Sequence, residues 1–185
     1  MFAWLMVVAW MQGLASAETF TNCQLPGIVC FCERRTNPPQ RLFIAEVDLT
    51  NPRLHLRVAP GGPDPDGPGQ WETRLMKPTK IAARENFCLV VNGDFFIAKG
   101  VNDGEGTNAH YRAGLWARPE GPAMTDGKTW STCLKARPCL VVHQDQTLAI
   151  ESLMQPNADD WEVVGGGPLL VHDGFAAPAP VTLPS

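Results

Sequence analysis

No run of lysine or arginine occurs anywhere in the 185 residues, and acidic groups outnumber basic ones, 19 to 15. A surface that binds nucleic acid by displacing counterions has nothing to be built from. Charged residues are only 18% of the chain against 44% hydrophobic ones, which argues against disorder and for a packed core. No apolar run reaches the roughly 20 residues that a bilayer span requires, so no stable membrane span is expected. C-x-x-C is missing, no His stands at zinc-ligand spacing from a Cys pair, and neither H-E-x-x-H, G-x-S-x-G nor an N-x-[ST] sequon is present. Zinc sites, serine hydrolases of the elbow type and glycosylated ectodomains lose their sequence support. No metal or cofactor is expected.

Three near-matches fail on chemistry. GPAMTDGKT at 121–129 puts Pro122 where a phosphate loop needs its first glycine, removing a backbone donor, and no helix pattern follows. GEGTNA at 104–109 fits G-x-G-x-x-A without a strand before it or a helix after it. DPDG at 64–67 brings glycine too early for a calcium-binding EF-hand loop.

What is abundant is turn chemistry. There are 17 glycines and 17 prolines, well above the usual combined share of roughly 12%. The chain opens with an uninterrupted apolar run, MFAWLMVVAWM, followed by Ala15-Ser16-Ala17. This predicts a signal peptide over residues 1–17, cut before Glu18, and export to a secreted or other extracytoplasmic location; the competing reading is a buried or interfacial helix. All six cysteines (23, 30, 32, 88, 133 and 139) lie beyond the cut, and an even count in an exported chain favours disulfides. Cys133 and Cys139 are the easiest local pair. Cys30 and Cys32 are too close to join each other, leaving Cys23 and Cys88 as candidate partners.

Alternation predicts strands at 42–49 and 54–59, joined as a hairpin through Thr50-Asn51-Pro52-Arg53. PGGPDPDGPG at 60–69 reads as a surface loop, and PTKIAARE at 78–85 as a short helix with proline in its first turn. A continuous apolar run at 87–91 predicts a buried strand. Residues 98–138 read as loop-rich, with a short strand near 114–117. A second hairpin is expected around Gln144-Asp145-Gln146, and two more strands, 161–164 and 169–172, flank Gly165-Gly166-Gly167-Pro168. The sum is α+β, mostly antiparallel sheet with one or two short helices and long loops. The organisation predicted is residues 1–17 as leader, 18–40 as a cysteine-containing segment, 41–174 as the main domain and 175–185 as a loose Ala/Pro-rich tail.

NGDFF at 92–96 and VVGGGPLLVHDG at 163–174 each join an apolar strand to a glycine segment that admits close backbone approach. Asn92 and Asp94 are therefore candidates to face a shared pocket, where an amide beside a carboxylate suits sugar hydroxyls or an anomeric centre. The structural alternative is that the glycines serve turns and bulges while Phe95 and Phe96 belong to the core. At these residues, together with VDLTNPRLHLRV, the sequence resembles the phosphodiester glycosidase family over residues 42–174. Asn92, Gly93, Phe95 and Phe96 match the family's N-G-x-F-F block, Asp94 fills its variable position, and Gly165, Gly166, Gly167, Pro168 and Leu169 match its G-G-G-P-L block. The resemblance implies cleavage between a sugar anomeric carbon and a phosphodiester oxygen, on a sugar-1-phosphodiester of the N-acetylglucosamine type or a related glycan. Asp94 is then the acid or base, Asn92 orients the sugar, and Gly93, Phe96, Gly165, Gly166 and Gly167 contact substrate. The family's P-R-T-A-like and D-G-G-G-S-like motifs do not occur after Gly174. That departure implies an incomplete domain, one completed by a partner chain, or one that keeps the scaffold without the activity, and the rival expectation is a non-catalytic exported module that binds carbohydrate or cell envelope.

Overall fold

The computed structural model describes residues 16–19 by their backbone and residues 25–104 and 110–177 in full. The fold is α+β, dominated by antiparallel sheet with long loops. The chain divides into two units, residues 1–55 and 56–185.

The first unit is a three-stranded antiparallel sheet of β1 (Ser16–Thr19), β2 (Ile28–Thr36) and β3 (Pro39–Val47), in that order. The hairpin expected over 42–59 is therefore shifted. Its first strand overlaps β3 over residues 42–47, but the partner is β2, paired from Ile28↔Val47 to Thr36↔Pro39. Sequence reading missed β2 because its buried positions, Ile28 and Cys32, stand four apart instead of alternating, and its end is polar. After β3 the Asp48 carboxylate accepts Thr50 N at 3.0 Å, and Asn51 O accepts Leu54 N at 3.0 Å, closing successive turns where the turn at 50–53 was expected, but the strand expected at 54–59 is not formed. Of the expected leader, residues 1–15 lie outside the described residues and Ser16 and Ala17 open β1; Cys23 also lies outside them.

In the second unit β4 (Thr73–Arg74) precedes helix α1 (Pro78–Glu85), then come β5 (Phe96–Ala98) and β6 (Trp116–Pro119), forming a sheet of order β4-β6-β5. The helix spans the predicted residues. Pro78 sits where its missing N–H costs nothing, and Asn86 in the left-handed region (φ 57°) ends it. Arg84 in the last turn donates to the carbonyls of Pro60, at 2.8 Å, and Gly61, tying the helix to the 60–69 loop. The strand expected at 87–91 is not formed. Cys88 and Val91 are exposed, and the chain enters a ladder only at Phe96, because an apolar run becomes a strand only beside a partner edge.

A five-stranded antiparallel sheet follows, built from β7 (Ala123–Thr125), β8 (Lys128–Ser131), β9 (Arg137–His143), β10 (Leu148–Leu153) and β11 (Asp160–Gly165), in the order β10-β9-β11-β7-β8. The failed phosphate-loop match is thus the β7–β8 hairpin. Asp126 (φ 49°) and Gly127 (φ 70°) both adopt the left-handed turn that suits strand twist. The hairpin predicted around Gln144-Asp145-Gln146 is present as β9–β10. The segment after the triple glycine, however, leaves the sheet: β12 (Val171–His172) pairs with β13 (Phe175–Ala176), so the expected tail begins as a strand. Residues 178–185 lie outside the described residues.

On one face of the large sheet Met124, Val163 and Val141 stand in a cross-strand row and bury fully with Cys139, Leu153 packing against them. A register shift between Asp160 and Glu162 marks a bulge in β11, and both carboxylates flanking it are buried. Glu162 acts as a substitute strand edge. Its Oε2 accepts Val58 N at 2.9 Å and its Oε1 accepts Asp126 N at 3.2 Å, while Thr125 Oγ1 donates to Val58 O at 2.9 Å. The segment at 54–58 alternates like a strand, yet these side chains satisfy the Val58 peptide in place of a neighbour.

Two outcomes are expected. Gly127→Ala places a Cβ in a left-handed turn 3.1 Å from the Trp161 ring and should destabilise the protein by about 1–2 kcal/mol in a urea titration. Burial raises the Glu162 carboxyl above its ordinary 4.5, an effect partly offset by the N–H groups of Val58 and Asp126. Folding thus favours the protonated form. This contribution is complete below the unfolded value and is lost as pH rises through the folded one. Glu162→Gln should therefore flatten the fall in stability with rising pH just above 4.5, read from denaturant midpoints across that window.

Candidate functional site

The two glycine blocks lie far apart in sequence and meet in the second unit around one carboxylate. Asp94 follows the 87–91 run and precedes β5, and its side chain turns inward, 4% exposed. Oδ2 accepts Gly121 N at 2.5 Å and Oδ1 accepts Phe95 N at 2.7 Å. The opposite wall is the end of β11. A Cβ on Gly165 would stand 2.8 Å from Asp94 Oδ2, and one on Gly121 would stand 2.7 Å from the same oxygen. Both glycines are thus required by close approach, since any side chain would displace the carboxylate. Gly93 makes room in the same way for Val164, whose Cγ2 would lie 2.6 Å from an added Cβ. Backbone bonds from Gly165 N to Pro122 O (3.0 Å) and Gly166 N to Pro138 O (2.8 Å) lock the glycine segment against β7 and β9.

Arg137, at the start of β9, brings the positive charge. Its Nη1 donates to Glu120 Oε2 at 2.7 Å, and its Nη2 stands 3.9 Å from Asp94 Oδ1, an ion pair too long to be a hydrogen bond. The guanidinium is one-quarter exposed. Burial raises the Asp94 carboxyl above its ordinary 3.8; the Gly121 N–H, the Arg137 charge and the Phe95 N–H pull it down, and the Glu120 charge pushes it up. Arg137 is itself held further toward its charged form by the hydrogen bond to Glu120. A buried acid, a cation and a second carboxylate together can hold a proton.

Beside this group opens a cleft of about 250 Å³ whose floor is a cross-strand row, Ile150↔Leu140↔Val164, and whose lip is Pro168, Leu169 and Leu170. Gly93, Gly165, Gly166 and Gly167 line it with backbone. Of the residues expected at the site, Asp94, Gly93 and the three glycines are brought together. Asn92 is exposed, and neither it nor Phe96 lines the cleft; Phe96 packs edge-on against Tyr111 at 5.6 Å between ring centres. Phe95 replaces it, lying against the cleft wall at Gly167. Arg137 and Glu120 were not legible in the sequence, since neither lies in a motif; only an acid-base pair flanking two buried strands hints at them.

Other reactive groups are placed elsewhere. Cys139 abuts the site, but burial pushes its thiol up to about 11, which makes it a poor nucleophile. The bridge expected between Cys133 and Cys139 is not formed: Cys133 Sγ donates to Lys135 O at 3.0 Å and Cys139 Sγ to Arg137 O at 3.2 Å. His143 sits between Asp160 Oδ1 (3.1 Å from Nδ1) and Glu151 Oε1 (3.4 Å from Nε2), and together with Asp159 and Asp160 presents ligand atoms within 4.8 Å of one another, a set able to hold a metal ion. Asp160 Oδ2 is engaged by Asn157 N at 2.7 Å, which fixes the buried carboxylate as a loop anchor.

Gly165→Ala should cost about 1–3 kcal/mol through overpacking against a carboxylate that cannot leave its N–H donors, and a thermal melt of the variant beside Gly166→Ala, where an added Cβ meets only Pro138 O at 3.4 Å, isolates the crowding from the loss of glycine.

Comparisons of the chain with protein-family models, with curated proteins and with solved structures give no match.

Proposed function

We propose that this protein is an exported phosphodiester glycosidase-like domain that acts on, or binds, a sugar-1-phosphodiester. The observation that carries the reading is the convergence of the N-G-D-F-F and G-G-G-P-L blocks on Asp94, with the Arg137 guanidinium 3.9 Å from its carboxylate. In that role Arg137 attracts the phosphate through donors not committed to Glu120. The protonated Asp94 carboxyl then donates to the ester oxygen as its bond to the anomeric carbon breaks, while water adds to that carbon and gives up its extra proton to solvent, from which Asp94 is reprotonated. Burial keeps the proton on Asp94 to higher pH than a surface aspartate would, which is what an acid catalyst needs.

A second reading, a module that binds without turnover, is favoured by a specific feature. The Asp94 carboxylate already accepts two backbone N–H groups and is almost wholly covered. Release of sugar from a methyl sugar-1-phosphodiester by the purified protein, set beside calorimetric binding of the same compound, separates the two. Catalysis predicts that Asp94→Asn lowers kcat by two orders of magnitude or more, of the order that one acid contributes, with KM little changed. Binding without any turnover identifies the module, and Arg137→Ala should weaken binding in either case.

The pH profile gives an independent check on the acid. Activity should fall as pH rises through the raised Asp94 value, because the working form is protonated. Glu120 is among the charges that hold that value up, so Glu120→Gln should move the alkaline limb of kcat/KM to lower pH; an unmoved limb would exclude Asp94 as the titrating acid.

A further inference from the structure

We infer that His143, Asp159 and Asp160 form a binding site for one divalent first-row transition-metal ion, with Glu151 and the Asn157 peptide orienting the ligands. The inference is independent of the function proposed for Asp94. The large sheet assembles the site: His143 ends β9, and Asp160 opens β11 as its cross-strand partner, immediately before the bulge. Asp159 precedes it in the turn. One ligand atom from each of the three lies within 4.8 Å of the others. His143 Nδ1 and Asp160 Oδ1 are 3.1 Å apart, near the separation of about 3 Å that neighbouring ligands take when each stands about 2.1 Å from one ion.

The imidazole faces more acceptors than it can serve. Its Nε2 stands 3.4 Å from Glu151 Oε1, while Nδ1 faces Asp160 Oδ1. A neutral ring carries one N–H. When Nε2 donates to Glu151, the Nδ1 lone pair is directed at a carboxylate oxygen, and that contact requires either a second ring proton or a metal ion shared by the two atoms. A second proton supplies one positive charge against three carboxylates, and among the described residues no Lys or Arg pairs with Glu151, Asp159 or Asp160. The Asp160 side chain is moreover 0% exposed, and buried carboxylates are paired or bound to metal. A divalent ion at Nδ1 and the two Asp oxygens supplies the missing charge.

The surroundings fit the same chemistry. A ligating imidazole commonly directs its other N–H to a carboxylate, and ligating carboxylates are themselves hydrogen-bonded. Glu151 takes the first role; Asn157 N, 2.7 Å from Asp160 Oδ2, takes the second and leaves Oδ1 for the ion. One imidazole nitrogen with two carboxylate oxygens suits ions between manganese and zinc, whereas calcium and magnesium take oxygen ligands. Asp159 is exposed, so an ion can enter from solvent and complete its shell with water.

The experiment titrates cobalt(II) chloride into the untagged, chelator-treated full chain, followed by calorimetry and visible absorption. The expected result is one ion per chain, with d–d bands and no thiolate-to-cobalt charge-transfer band. Asp159→Asn alters an exposed side chain that makes no hydrogen bond or ion pair among the described residues. It should leave the metal-free melting temperature unchanged, weaken cobalt binding by about tenfold or more, and abolish the rise in melting temperature that cobalt gives the unaltered chain. Glu151→Gln should weaken binding by about tenfold to a hundredfold. His172→Ala removes an exposed imidazole paired only with Asp173 and should leave binding unchanged. Absence of binding, a charge-transfer band from cysteine ligation, tighter binding of calcium than of cobalt, or undiminished affinity in Asp159→Asn would each overturn the assignment.

Discussion

A carboxylate held out of water between two backbones is the constraint around which the second unit is organised. Burying Asp94 is costly unless its oxygens are paired, and the structure meets this with the N–H groups of Gly121 and Phe95 and the nearby charge of Arg137. Those partners come from three separate segments. Gly121 must be side-chainless to bring its N–H to 2.5 Å, and Gly165 must be so for β11 to pass the same oxygen. The order β10-β9-β11-β7-β8 puts the end of β11 beside the start of β9 and the approach to β7, which is why Arg137, Glu120 and both glycines arrive at one place.

A second buried carboxylate, Glu162, solves a different problem by similar means. The segment around Val58 has no sheet partner, and its peptide groups would be orphaned near the sheet without Glu162 and Thr125. Arg57 reinforces the arrangement, bonding Asp126 and standing 3.8 Å from Glu162. Desolvation favours the protonated form of both buried acids, so each contributes stability that is lost as pH rises through its folded value. One of the two supports the chain path; the other packs against Gly121 and the end of β11 at Gly165.

The pairing of a buried acid with a partly exposed cation shapes the functional reading. In the function proposed, Arg137 meets the phosphate and Asp94 supplies the proton. Cys139, although adjacent, is held in its neutral form by burial, so thiol nucleophilic chemistry has no basis there.

How much of this was legible beforehand follows from the range of the interactions concerned. Helix α1 was written in local terms, with proline in its first turn and a residue able to adopt the left-handed region after it, and its bounds were readable. The β9–β10 hairpin was likewise local, as alternation on either side of a polar turn. The strand at 87–91 and the hairpin over 42–59 were misread because apolar content and alternation report burial, while a strand needs an edge to pair with, and that edge is supplied from elsewhere in the chain. The sequence by itself determined the fold class, the turn-rich framework and which glycine blocks deserved a pocket, since each depends on backbone freedom and short-range patterning. Only the tertiary structure decided that Asp94 turns inward while Asn92 faces solvent, that Phe95 instead of Phe96 borders the cleft, and that Arg137 and Glu120 join the site, because those placements depend on packing between segments many residues apart.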